Sequence, residues 1–170
     1  MKALTLRQPA PIETSPLTIS DVPIPVPGDD EVLVKVRACG ICRTDLHVVE
    51  GELPPKLPNV IPGHQIVGRV VGQGQKAKMH RPGARVGVPW LHRTDGTCEF
   101  CTRGRENLCP NELFTGWTVN GGYAEYVVAP EQFVYPIPES FSDLAAAPLL
   151  CAGIIGFRAL RLCELEAGDA

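Results

Sequence analysis

What this chain lacks removes whole classes of protein. Charge of neither sign prevails: 16 Lys and Arg stand against 19 Asp and Glu, a net charge of −3. That leaves no basic footprint for nucleic acid. Apolar runs fall well short of the ~20 residues of a membrane helix. After Met1-Lys2 the chain passes through Ala3–Gln8 into a proline-rich stretch, with nothing resembling an export signal. The expectation is a cytoplasmic protein without nucleic-acid or membrane partners. What is present is a chain of 170 residues, 44% of them apolar, which is one domain's worth of core. Glycine and proline number 17 each, and such a supply predicts turns and short strands rather than a helical bundle.

Alternation predicts strands over Met1–Arg7, Leu17–Val22, Glu31–Ala38, Gln65–Val71, Ala84–Val88 and Gly122–Ala129. In the clearest of these, Val32, Val34, Val36 and Ala38 share one face. Gly72-Gln-Gly74 reads as a turn. A short helix fits Ile41–Glu50, ended by Gly51. Another, capped by Ser140 or Ser142, runs through Ala147 to a break at Pro148, and a last one fits Leu150–Leu165. From Trp90 to Asn120 no period is sustained, and a loop of that length needs something else to order it. The fold class expected is mostly β with short helices.

Seven cysteines without an export signal favour metal or redox chemistry over a disulfide framework. Three lie in the long loop, as Cys98-x-x-Cys101 followed by Cys109. A Cys-x-x-Cys turn sets two thiolates about one metal, and zinc takes four ligands in a tetrahedron. Asp95 extends the spacing upstream and can supply a carboxylate; His92 is its rival. Buried cysteines acting as small hydrophobes are the plainer alternative, but a polar loop is a poor place for them. A structural zinc site is expected.

The second group, Cys39-Gly-Ile-Cys42, has two readings. Between a strand and a helix it suits a thiol–disulfide oxidoreductase, the helix N-terminus lowering a thiol pKa. Alternatively Cys42 is a metal ligand and Cys39 only packs. His64, in Pro62-Gly-His64, and Cys151, in Leu150-Cys151-Ala-Gly153, are each unremarkable alone.

Taken in order, Gly40-Ile-Cys42-Arg-Thr44-Asp45-Leu-His47, Pro62-Gly-His64, Cys98-x2-Cys101-x7-Cys109, Gly121-Gly-Tyr-Ala-Glu-Tyr126 and Leu150-Cys151-Ala-Gly153 resemble the zinc-dependent alcohol dehydrogenases of the medium-chain family, from about residue 2 to 168. The resemblance implies a GroES-like catalytic domain, residues 1–150, with 151–170 opening a connection toward a Rossmann domain that binds NAD or NADP. It implies that Cys42, His64 and Cys151 hold a catalytic zinc. Thr44 would take the proton of an alcohol, and His47 would pass it toward solvent. Asp95, Cys98, Cys101 and Cys109 would hold the structural zinc. Alcohol or aldehyde substrates and assembly as a homo-oligomer are further implications; Trp90, Leu91 and Trp117 are candidates for the apolar wall of the substrate pocket or for core anchors.

The chain departs from that pattern. Gln65 stands where the family has Glu after the zinc histidine, which removes a negative charge and predicts slower ligand exchange. Asp95 replaces the first structural cysteine. No Gly-x-Gly-x-x-Gly with a distal acid occurs, so the expectation is a catalytic portion without its nucleotide partner, unable by itself to turn over alcohol. The remaining alternatives are a zinc-ordered interaction module and a Cys39–Cys42 redox protein.

Overall fold

The computed structural model describes residues 1–163 and Gly168. Its frame is an antiparallel sheet of five strands: β3 (Glu31–Gly40), β4 (Gln65–Gln73), β5 (Arg85–Val88), β8 (Tyr126–Pro130) and β9 (Tyr135–Pro136), in the order β8-β3-β4-β5-β9. A hairpin of β1 (Lys2–Leu6) and β2 (Leu17–Asp21) lies apart from it, tied back by bridges from Ala3 to Ala124 and Leu6 to Val60. The helices are α1 (Arg43–Glu50), α2 (Asp143–Ala146) and α3 (Ala152–Leu162). No single helix among the described residues is long and apolar enough to cross a membrane. The mostly β class expected is what forms.

Each predicted strand is present, with ends shifted by a few residues. The strand expected over Gly122–Ala129 is the exception at its start: it begins at Tyr126, after irregular backbone. The unpatterned stretch 90–120 is not wholly a loop. Its ends zip together as β6 (Leu91–Arg93) and β7 (Leu113–Phe114), and 3-10 turns at Cys101–Arg103 and Glu106–Leu108 fill the lobe between. Strands of two or three residues are too short to show a period. The helix expected from Ile41 starts at Arg43, because Cys42 caps it and Ile41 turns out to solvent. Ser142, not Ser140, caps α2, accepting the Ala145 N–H at 3.1 Å. The last helix begins at Ala152, and its expected end at residue 165 lies outside the described residues.

The valines fill the interior. Val32 and Val34 of β3, Ile66 and Val70 of β4, Val86 and Val88 of β5 and Val127 of β8 form the main cluster. A second joins Leu6, Val60 and the α1 residues Val48 and Val49; a third joins Val67 to Ala146, Ala147 and Leu150. Burying a side chain of this size contributes about 1.5–3 kcal/mol, so the sheet and α1 are held by their own apolar faces. Strand β3 changes face midway. Arg37 has no partner across the ladder, since Val36 pairs with Gly68 and Ala38 with Val67. This bulge reverses the alternation: Ala38 packs on the third cluster, not with Val32 as expected, and Cys39 packs on the main one. Gly74 ends β4 under the backbone of Gly28, whose carbonyl a Cβ would meet at 1.8 Å. The turn expected at Gly72-Gln-Gly74 is therefore strand as far as Gln73, paired to β3, and only Gly74 marks the crossing of two chain segments.

Candidate metal centre and cleft

The first cluster is assembled from a strand end, a helix cap and a turn. The bulge sends Cys39 inward, where its thiol reaches the Gly40 carbonyl at 3.6 Å and burial pushes its pKa up to about 12. A thiol so held is a poor nucleophile, which argues against the redox reading. Cys42 follows in extended backbone, and its Sγ accepts the Thr44 N–H at 3.3 Å as the cap of α1.

Asp45 closes the cap from the other side and does more. It is 4% exposed, yet its carboxylate accepts the Cys42 N–H at 2.8 Å and the Gly63 N–H at 3.2 Å, and it faces His64 Nδ1 at 3.1 Å. Gly63 reaches this position at φ +96°, open to glycine and strained for other residues. With Nδ1–H donated to Asp45, the lone pair of His64 sits on Nε2, which lies 3.2 Å from Cys42 Sγ. The reading from sequence gave Asp45 no role. Its signal was present as the spacing of a capping box, an acid three residues after the cap.

Cys151 arrives from the opposite side, at the start of α3. One ligand atom from each of Cys42, His64 and Cys151 lies within 4.8 Å of the others. Burial and the neighbouring Cys42 push the Cys151 thiol up to about 11, so a cation is what stabilises its thiolate. Two sulfurs and one imidazole nitrogen, the nitrogen oriented by a carboxylate, fit zinc and leave one tetrahedral position. Gln65 sits beside His64, 2% exposed and neutral.

The cluster opens on a cleft of about 570 Å3 lined by Thr44, Leu53, Trp90, Leu91 and the α3 residues Ile154 and Ile155, with His64 and Cys151 at its floor. Trp90 stands edge-on to the His64 ring, centroids 4.9 Å apart. Trp117 does not line this cleft. It stacks behind Trp90 at 5.9 Å and donates its indole N–H to the Pro54 carbonyl at 2.9 Å. Thus Trp90 and Leu91 are wall, and Trp117 is a support. His47 lies one turn beyond Thr44 on α1, half-buried, with Nδ1 paired to Glu52, a residue the reading from sequence passed over.

The second cluster occupies the lobe between β6 and β7. Ligand atoms of Asp95, Cys98, Cys101 and Cys109 all lie within 4.8 Å of one another. Cys98 and Cys101 Sγ are 3.5 Å apart, and Cys109 is buried. The Asn111 amide, then the Cys98 and Thr97 N–H groups, hold the Asp95 carboxyl well below the usual carboxylate range, so Asp95 presents a charged oxygen. Three thiols and this oxygen suit zinc as a closed site. His92, the rival ligand, is elsewhere: its ring is buried, with Nδ1 3.4 Å from Thr115 Oγ1. All seven cysteines are unbridged.

Fold and clusters together define an antiparallel β domain organised round two metal-type ligand sets, one opening on a cleft and one closed in a surface lobe. Residues 28–139 match the alcohol dehydrogenase GroES-like domain, and the chain belongs to that family. It is 48% identical to the probable alcohol dehydrogenase AdhA of Mycobacterium tuberculosis, covering 99% of this chain and 50% of that protein. An alcohol dehydrogenase of Geobacillus stearothermophilus is 46% identical over 90% of this chain and 45% of its own. Among solved structures, an NAD-dependent alcohol dehydrogenase superposes with a TM-score of 0.92 at 32% identity, over 99% of this chain and 49% of that one. The cinnamyl alcohol dehydrogenase SbCAD4 of Sorghum bicolor does so at 0.86 and 33% identity, over 99% and 49%. The chain spans about half the length of the curated relatives it matches.

Proposed function

We propose that this chain is the zinc-bearing catalytic domain of an alcohol dehydrogenase that interconverts alcohols and aldehydes by hydride exchange with NAD or NADP. Residues 1–150 form that domain and 151–170 lead toward a nucleotide-binding unit of the kind the longer relatives have room for. The observation that carries the reading is the convergence of Cys42, His64 and Cys151 beside a cleft that His64, Cys151 and Thr44 line. Zinc held by these residues would polarise an alcohol hydroxyl and lower its pKa toward neutrality.

The chain's own groups do the rest. Asp45 keeps His64 in the tautomer whose Nε2 is free to ligate. Trp90, Leu91, Ile154 and Ile155 give the cleft apolar walls and favour an apolar substrate body. The Thr44 hydroxyl both accepts and donates, so it takes the substrate's proton and hands it on. His47, half-exposed and fixed by Glu52, is the exit toward solvent. The Asp95, Cys98, Cys101 and Cys109 set holds a second zinc that orders the lobe.

Elemental analysis of the purified chain tests this. The expected content is two zinc ions per chain; Cys42→Ser lowers it by one and Cys98→Ser by the other. The 170 residues alone, given alcohol and NAD, are expected to show no turnover. A chain that binds no zinc and readily forms a Cys39–Cys42 disulfide overturns the proposal.

A further inference from the structure

Asn111 stands outside both ligand sets, two residues past Cys109. Its side-chain amide nevertheless crosses the lobe to donate to Asp95 Oδ2 at 2.9 Å. The other carboxylate oxygen is already saturated: Oδ1 accepts the Thr97 N–H and the Cys98 N–H, each at 2.9 Å. A carboxylate oxygen has about two lone-pair directions. Two donors leave Oδ1 with none for a cation, and one donor leaves Oδ2 with one.

A carboxylate at this position has a problem that a cysteine would not. A cysteine sulfur is placed by χ1 alone. An aspartate oxygen needs χ2 as well, and that torsion is broad and roughly two-fold. The backbone donors of Thr97 and Cys98 fix the turn and one oxygen. Asn111 holds the other from outside the ligand set, and by reaching from beyond Cys109 it ties the start of the lobe to its end.

We propose that Asp95 binds the lobe's zinc through Oδ2 alone, and that Asn111 is the positioning residue that presents this oxygen. The proposal rests on the reading of the lobe as a zinc site. Its consequence is specific: Asn111 matters because the fourth ligand is a carboxylate, and it loses that importance when the ligand is a thiolate.

The test is the rate at which the lobe's zinc passes from the full chain to a chromogenic chelator, measured in a Cys42→Ser background so that one site reports. Losing a partner of a ligand typically costs 10–100-fold in metal affinity, so Asn111→Ala is expected to release zinc at least ~10-fold faster. Cobalt(II) in its place should show a changed visible spectrum in the same variant. In Asp95→Cys, adding Asn111→Ala should leave the release rate within about twofold, because contacts that act through one another do not add. Equal rates for the parent and Asn111→Ala overturn the positioning role while leaving the zinc site standing. The same acceleration in the Asp95→Cys background overturns it too, since Asn111 would then only be bracing the loop. A parent chain that takes up no zinc at the lobe overturns site and role together.

Discussion

Replacing Asp45 by Asn keeps shape and removes charge and one acceptor, so it isolates the carboxylate's electrostatic part. Asp45 serves the Cys42 N–H, the Gly63 N–H and His64 Nδ1 from a site that is 4% exposed. An amide has one acceptor oxygen. Its better orientation keeps Gly63 and His64 and turns the NH2 toward the Cys42 N–H, donor against donor; the other orientation forfeits two bonds. One buried donor left unsatisfied costs about 1–3 kcal/mol. With a urea slope of ~2 kcal/mol per molar, that lowers the midpoint by roughly 1 M. The effect on metal is separate. An imidazole without its carboxylate partner is a weaker, less oriented ligand, worth ~10–100-fold in affinity. Urea titration and site-resolved zinc retention of Asp45→Asn against the parent measure both. The cysteine–histidine site should lose zinc first and the lobe should keep its own. An unchanged midpoint with unchanged retention would refute the reasoning, as would zinc loss confined to the lobe.

His92 supplies a pH test. Burial pushes its pKa down to about 4, below the ~6.5 of an unfolded histidine, so the unfolded chain takes up the proton first as pH falls. Stability from this group is complete above about pH 6.5 and is lost on the way to pH 4, at about 1.4 kcal/mol per unit. Between pH 7 and 4.5 the stability of His92→Gln, read by urea titration, should therefore fall by roughly 2–3 kcal/mol less than the parent's; equal falls would dismiss the idea. Asp143 tests an ion pair. Arg85 Nε and Nη2 both sit 2.9 Å from Asp143 Oδ1, with the Arg85 side chain 6% exposed. Asp143→Ala leaves that guanidinium with the Pro138 carbonyl and should cost about 3 kcal/mol. Breaking the exposed Lys2–Asp21 pair with Lys2→Ala should cost under ~1 kcal/mol; similar losses from the two would contradict the burial argument.

The ligands were legible because their chemistry is carried by side-chain type and spacing. Cys42, His64, Cys151 and the four lobe residues are recognisable as strings, and their ligand atoms do converge. What surrounds them is set by backbone geometry, which spacing encodes faintly. Asp45 was legible only as a helix-cap pattern, since its bond to His64 depends on a turn 18 residues away at Gly63. The allotment of Trp90 to the wall and Trp117 to its support depends on a stack of rings across the lobe's base. Strands that alternate over five or more residues were visible; β6, β7 and β9 were too short for a period to show.

The bulge at Arg37 gives β3 a residue to spare, because the ladder with β4 is in register on both sides of it. Val36 stands opposite Gly68 and Ala38 opposite Val67, neighbours on β4, so no pair of the β3–β4 ladder depends on Arg37. Deleting Arg37 would leave every ligand in the chain and join those two pairs directly, with Cys39 still opposite Ile66 on the core side and the cap of α1 still at the strand's end. A lineage carrying this strand can therefore lose a residue at this one point without moving the ligands that follow it.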